Sequence, residues 1–141
     1  PEDETSSREA RNDPDAGAAP ETGSASSSPL RLGRPVLLDF SRDHCLPCDI
    51  MRPWVDELRK SCEGVVEVIE VNIDREENHA LGMYFKARAV PLQVYLDAEG
   101  RELARSEGIA TLPQMQSALE RLGFMKKDGL PRKSAGRRSG R

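Results

Sequence analysis

Apolar and polar positions follow two different rhythms along the middle of this chain and neither rhythm at its ends. Val36, Leu37, Leu38 and Phe40 make a nearly continuous apolar run with one carboxylate, Asp39, inside it. A short run of this kind, from Pro35 to Ser41, reads as a buried strand. Met51, Trp54, Val55, Leu58 and Cys62 then recur at helical spacing, while Asp49, Arg52, Asp56, Arg59 and Lys60 lie mostly off that stripe. The pattern predicts a helix from about Cys45 to Cys62, with Gly64 as its stop. Pro53 lies inside it, removes an N–H and crowds the carbonyl of Asp49, so a kink is expected there. Val65 to Ile73 predicts a second strand. Val65, Ile69, Val71 and Ile73 share one face, and Val66 and Val68 make the other partly apolar, which suits a central position covered on both sides. Asp74 and Glu77 are spaced as N-cap and N3 of a further helix, with Leu81, Tyr84 and Phe85 on its buried side and an end near Lys86.

The second half of the pattern predicts a hairpin and a last helix. Leu92 to Leu96 is a strand preceded by Pro91, which has no N–H to give a ladder and so belongs at a strand start or an edge. X-Pro bonds are also the ones that can be cis. Asp97 to Gly100 is a turn into a more polar strand, Arg101 to Ser106. Gly108 allows a bend or a close backbone approach. Thr111-Leu112-Pro113-Gln114 is a capping box, and Met115, Leu119 and Leu122 form the stripe of the helix it opens. Gly123 ends that helix. Strand, helix, strand, helix, hairpin, helix is the order of an α/β domain with parallel strands joined by crossover helices plus an antiparallel pair.

Composition and charge set the outer limits of this domain. Residues 1–30 are rich in Ser, Ala, Gly, Pro and acids and have no apolar periodicity, so they read as a disordered leader or linker. Residues 126–141 are basic and non-periodic and read as a solvated tail. The overall charge of −3 is therefore the sum of an acidic front, a mildly acidic domain over 31–125 and a basic end. The tail has no aromatic residues to stack on bases, so no nucleic-acid partner is expected. No apolar run approaches the length of a membrane span, and no signal peptide is visible. A start at Pro1 rather than Met is expected of a mature or trimmed form, and the polar leader of a tether from a lost membrane anchor. That favours an extracytoplasmic home, periplasmic or membrane-tethered, although a cytoplasmic one would suit a reductase.

The chemistry concentrates in Asp43-His44-Cys45-Leu46-Pro47-Cys48. Two thiols three positions apart, where a strand gives way to a helix, fall within the roughly 4.4–6.8 Å Cα separation that a disulfide tolerates. The helix N-terminus favours the thiolate of the first, which is the species that attacks another disulfide. Zinc is the competing use of such a pair, but it wants four ligands, and only His44, His79 and the lone Cys62 remain. Neither a metal nor an organic cofactor is expected. Cys62 lies about 21 Å beyond Cys48 along a straight helix, out of disulfide reach, and reads as a small core residue. Asp39 has two readings. Burial would raise its pKa and make it a proton acceptor beside the thiols, or it is a strand-end carboxylate bonded to backbone amides.

Taken together, these residues resemble the thioredoxin superfamily over about Gly33 to Phe124. The matching features, in order, are Val36-Leu37-Leu38-Asp39-Phe40, Cys45-Leu46-Pro47-Cys48, Pro53, Val71-Asn72-Ile73-Asp74, Val90-Pro91, the turn Asp97–Gly100, and Gly108. The resemblance implies a three-layer sandwich with a central mixed sheet flanked by helices. It implies that Cys45 is the exposed attacking cysteine and Cys48 the buried resolving one. Pro91 would be the cis-proline facing the dithiol, and Val90 would present backbone groups to a bound peptide, with Trp54 and Gly108 as further substrate contacts. Asp39 would assist proton transfer to or from Cys48.

Departures from the family pattern bear on tuning. His44 replaces the usual Trp, Leu46 the usual Gly, Ser41 an aromatic residue and Leu92 a Thr. A histidine beside a dithiol favours the thiolate and raises the reduction potential. Glu70 stands where some members carry Lys; near Asp39 it would raise one carboxyl pKa further. The usual first strand and helix would have to come from residues 1–34, which are unsuited to supply them, so a trimmed fold is expected. The function that follows is a monomeric thiol–disulfide oxidoreductase reducing protein or peptide disulfides, supplied by an upstream thiol reductant or oxidant. The alternatives are an oxidase or isomerase, or a non-catalytic module that holds partners in the Pro91 groove.

Overall fold

A computed structural model describes residues 28–126, and both terminal segments expected to be disordered fall essentially outside it. The apolar run near the start forms β1 (Val36–Ser41), buried along its whole length. It is followed by α1 (Leu46–Ser61), β2 (Glu67–Asn72), a 3-10 turn (Glu76–Asn78) and α2 (His79–Tyr84). Next come β3 (Leu92–Leu96), β4 (Glu102–Glu107) and α3 (Leu112–Arg121). The strands form one mixed sheet in the order β2-β1-β3-β4. β1 pairs parallel with β2 and antiparallel with β3, and β3 pairs antiparallel with β4.

Each face of the sheet buries its own cluster, because successive side chains of a strand point to opposite faces. Leu37, Val68 and Tyr95 pack under α1 and α3 with Met51, Val55, Leu58, Met115 and Leu119. Val36, Leu38, Phe40, Val71, Val94 and Leu96 face the other way and meet Phe85, with Leu81 and Leu30 at the margin. Cys62 is a fully buried free thiol in the first cluster, as its place on the apolar stripe implies. α1 runs through Pro53 as one element, and Pro53 is exposed, so its ring meets solvent rather than the core. The capping box of α3 forms: Thr111 accepts from the Gln114 N–H, and the Gln114 side chain accepts from the Thr111 N–H. Gly100, at φ +85°, is a turn glycine with no room for a Cβ, which would lie 2.5 Å from the Leu30 carbonyl oxygen.

Three sequence expectations are corrected. β2 is an edge strand among the described residues rather than a central one, and Val65 lies before it, packed with the first cluster. Its apolar faces are covered by helix and loop side chains, so two-sided burial does not require two strand neighbours. Asp74 does not cap the following helix; its carboxylate accepts the Asp43 N–H at 2.9 Å, and Arg75 and Asn78 occupy the cap positions. Competition from the loop that leads to the cysteines wins over local capping. Tyr84 is exposed and stacks edge-on against the buried Phe85 instead of sharing its burial, because α2 is too short to present three residues to the sheet.

Candidate redox-active site

The site is built where β1 ends and α1 begins. Ser41 closes β1, and the loop beyond it is tied to the end of β2. The Asn72 amide donates to Asp43 Oδ1 at 3.0 Å, and the Asp43 N–H donates to Asp74. His44 then takes a left-handed conformation, φ 54°, which turns the chain into the helix. Cys45 is the N-cap residue of α1, and its sulfur accepts the Cys48 N–H at 3.2 Å. Cys45 and Cys48 are joined as a disulfide, with Cα atoms 5.2 Å apart. A first-turn amide aimed at Cys45 Sγ stabilises negative charge on that sulfur when the bond opens.

The expectation of an exposed Cys45 needs correcting: it is 6% exposed and Cys48 3%. In the closed pair both cysteines are buried, and the rim is left to His44, Pro47 and Leu46, which is 70% exposed. Burial pushes the Cys62 thiol up, which keeps it protonated and unreactive.

Pro91 stands at the start of β3. Phe40 pairs with Leu92, so Pro91 falls beside the C-terminal end of β1, from which the dithiol loop departs. The Val90–Pro91 peptide is cis. The Gly108 N–H donates to the Pro91 carbonyl at 2.8 Å, and Gly108 adopts φ +91°, a conformation that favours glycine. Val90 is half-buried against the second cluster. Trp54 packs, half-buried, against the cluster of Met51, Met115 and Leu119.

Asp39 lies under α1 and is only 4% exposed. Its Oδ1 has no hydrogen-bond partner among the described residues, so the reading as a carboxylate satisfied by backbone amides is not the one observed. Burial, then the charge of Glu70, push its pKa up to about 7, while Arg52 and Arg59 pull against them. Glu70 sits directly opposite Asp39 in the β1–β2 register. Its own carboxyl is held below the ordinary value, first by the Arg52 hydrogen bond and also by Ser41. Arg52 Nη2 lies 2.9 Å from Glu70 Oε2, Ser41 Oγ donates to the same oxygen at 3.0 Å, and Arg52 Nη1 reaches Asp49 at 2.6 Å.

Sequence reasoning singles out Glu70 but misses Arg52 and Gln93, and it reads Ser41 only as a departure from an aromatic residue. From the helical stripe alone, Arg52 is a solvent-facing residue of α1. Its position four residues after Cys48 is the available signal, since that spacing places both on one side of a helix. Arg52 favours the ionised form of Asp39, so Arg52→Ala is expected to raise the Asp39 pKa further. Titration of the Asp39 carboxyl carbon by NMR, wild type against variant, checks this; an unchanged or lower value would show that Arg52 does not favour the ionised Asp39.

A mixed sheet between helix layers, with a disulfide at the N-terminus of the helix that follows β1 and a cis-proline leading into the strand paired with β1, defines a thioredoxin-fold protein with a CxxC site. The thioredoxin family model matches residues 28–121, two thirds of the chain, and the protein belongs to this family. It is 34% identical over 79 residues to the thiol:disulfide interchange protein TxlA homolog of Synechocystis sp., a match covering 56% of this chain and 44% of that protein. Thioredoxin of Haemophilus influenzae is 34% identical over 84 residues, covering 60% of this chain and 74% of its own length. Thioredoxin of Rickettsia felis is 39% identical over 62 residues, covering 44% and 57%. The chain thus spans about half the length of most curated relatives it matches. A solved structure titled "Structure of a malarial protein" shares the fold, with TM-score 0.56 at 19% identity over 62% of this chain and 96% of that one. No group of three or more metal-ligating side chains occurs among the described residues, and no helix there is long and apolar enough to cross a membrane.

Proposed function

We propose that this protein is a thiol–disulfide oxidoreductase that reduces protein disulfides through Cys45 and Cys48. The observation that carries the reading is the Cys45–Cys48 disulfide at the N-terminus of α1, with a helix amide on the Cys45 sulfur. In the reduced protein the Cys45 thiolate attacks a substrate disulfide. One substrate sulfur leaves as thiolate, and a mixed disulfide forms. Cys48 passes its proton to Asp39, attacks Cys45 Sγ and releases the second substrate thiolate. The Cys45–Cys48 disulfide is then reopened by an upstream dithiol.

The placement of the surrounding residues supports a part for each in this scheme. Pro91, Val90 and Gly108 form the backbone ledge for an extended peptide. His44, Leu46 and Pro47 make up the rim a substrate meets first. Asp39, with a pKa near neutrality, can take and return a proton at working pH. Organic cofactors have no step to perform in this scheme.

Insulin-disulfide reduction driven by dithiothreitol tests the reading. Wild type is expected to turn over and Cys45→Ser to fall to the uncatalysed rate. A reduction potential near about −270 mV, the value general for thioredoxin, supports a reductase, whereas about −120 to −180 mV would make the protein an oxidant or isomerase. Wild type no faster than Cys45→Ser would leave only a partner-binding module.

A further inference from the structure

We infer that Gln93 is a positioning residue for the proton on Asp39: its side-chain oxygen accepts the hydrogen bond that the neutral Asp39 carboxyl donates. The two residues are directly opposed in the β1–β3 ladder and point to the same face of the sheet. Directly opposed residues of an antiparallel pair hold their Cβ atoms about 4.5–5.5 Å apart. Gln93 is wholly buried, in a strand whose other members are Leu92, Val94, Tyr95 and Leu96. Asp39 Oδ1 and Gln93 Oε1 are the two buried side-chain atoms left without a hydrogen-bond partner among the described residues. Both are acceptors, and both sit on this one cross-strand pair.

The orientation of the amide is set from its other end. Gln93 Nε2 donates to the Gly108 carbonyl at 3.1 Å and lies 3.5 Å from Met51 Sδ. Turning the amide over would place its oxygen against the Gly108 carbonyl, acceptor against acceptor, and leave that carbonyl unpaired. Among the described residues, Oε1 therefore has no donor unless Asp39 supplies one. A single proton on Asp39 satisfies both orphan atoms, and its loss leaves two acceptors opposed in a buried site. Other charged or titratable groups around Asp39 are Glu70 from β2, Arg52 and Arg59 from α1, and Tyr95 from β3. Burial pushes the Tyr95 hydroxyl up to about 12, and the Glu70 hydrogen bond holds Arg52 charged, so neither competes for the proton at neutral pH.

Gln93 also joins two parts of the site. The Gly108 carbonyl it holds belongs to the residue whose N–H binds the Pro91 carbonyl. The hydrogen bond to Asp39 thus reaches the peptide ledge through one side chain. The kinetic consequence rests on the proposed role of Asp39 in the reductase cycle; the hydrogen bond itself does not.

Carbon-13 NMR of the oxidised protein, labelled at Asp and Gln side-chain carbonyl carbons, tests the inference. In wild type the Gln93 carbon is expected to titrate with the same midpoint as the Asp39 carboxyl. In Gln93→Met, close in size but without the acceptor, the Asp39 midpoint is expected to fall by about one pH unit, the size of one net hydrogen bond. The acid limb of insulin reduction should move down with it. A Gln93 carbon that does not follow Asp39, or an Asp39 midpoint unchanged or raised in Gln93→Met, overturns the inference. If the variant fails to fold, the wild-type co-titration decides alone. A protein that reduces no disulfide would sink the catalytic reading and leave both NMR outcomes able to decide this one.

Discussion

Asp39→Asn is expected to stabilise the oxidised protein at alkaline pH and to leave its stability nearly unchanged at pH 3–4. The folded-state pKa of Asp39 is about 7, against an ordinary value of 3.8. Between those values the folded protein holds a proton that the unfolded chain has released. Stability therefore falls as pH rises through this window and levels off above it. At 1.36 kcal/mol per unit, about three units amount to roughly 4 kcal/mol at pH 8.5. Asparagine carries no charge to desolvate, and its amide can donate to the Gln93 oxygen. Urea unfolding of both proteins at pH 4 and pH 8.5 reads the effect. A difference in stability that is the same at both pH values would mean that Asp39 titrates normally. The same variant should slow the resolving step if Asp39 is the proton acceptor proposed for Cys48, so a gain in stability and a loss of activity are expected together.

Cys48→Ser is expected to trap the substrate. Cys45 keeps its place at the N-cap and can still attack, but the hydroxyl that replaces the Cys48 thiol cannot displace the substrate sulfur. The mixed disulfide then waits for an external thiol. An intramolecular thiolate held one helical turn away has a large effective concentration, so turnover should drop at least about a thousandfold. Non-reducing electrophoresis with a disulfide-bonded protein substrate should show a covalent adduct that dithiothreitol dissolves. Cys45→Ser should form none. Equal adduct with both variants would mean that Cys48, 3% exposed in the oxidised state, is also reached by substrate, and the assignment of attacking and resolving roles would fall.

The two variants separate what Asp39 and Cys48 contribute to one step. Asp39→Asn leaves the nucleophile present but harder to deprotonate, so its mixed disulfide should be transient. Cys48→Ser removes the nucleophile, so its mixed disulfide should persist. Arg52 and Gln93 act on this step from opposite sides. Arg52 favours the charged form of Asp39 from α1, and the hydrogen bond inferred for Gln93, opposite Asp39 on β3, would favour the neutral form.

Elements with a local signal are legible in the chain itself. The apolar run of β1, the helical stripe from Met51 to Cys62, the Thr111–Gln114 capping box and the Cys45–Cys48 spacing each depend on residues within a turn or two of one another. Periodicity and capping chemistry read them directly. The burial of Cys62 is legible for the same reason. Whatever depends on which strand lies beside which came only with the packed chain. Packing set β2 at the edge of the described sheet, took Asp74 away from its helix to hold the Asp43 loop, and put Arg52 on Glu70. It also brought Asp39 opposite Glu70 on one side and Gln93 on the other. A polar residue inside the apolar run of β3 is visible in the chain, but a linear pattern carries no register between strands far apart in sequence. The proton chemistry of this site is set by that register, through burial and cross-strand neighbours.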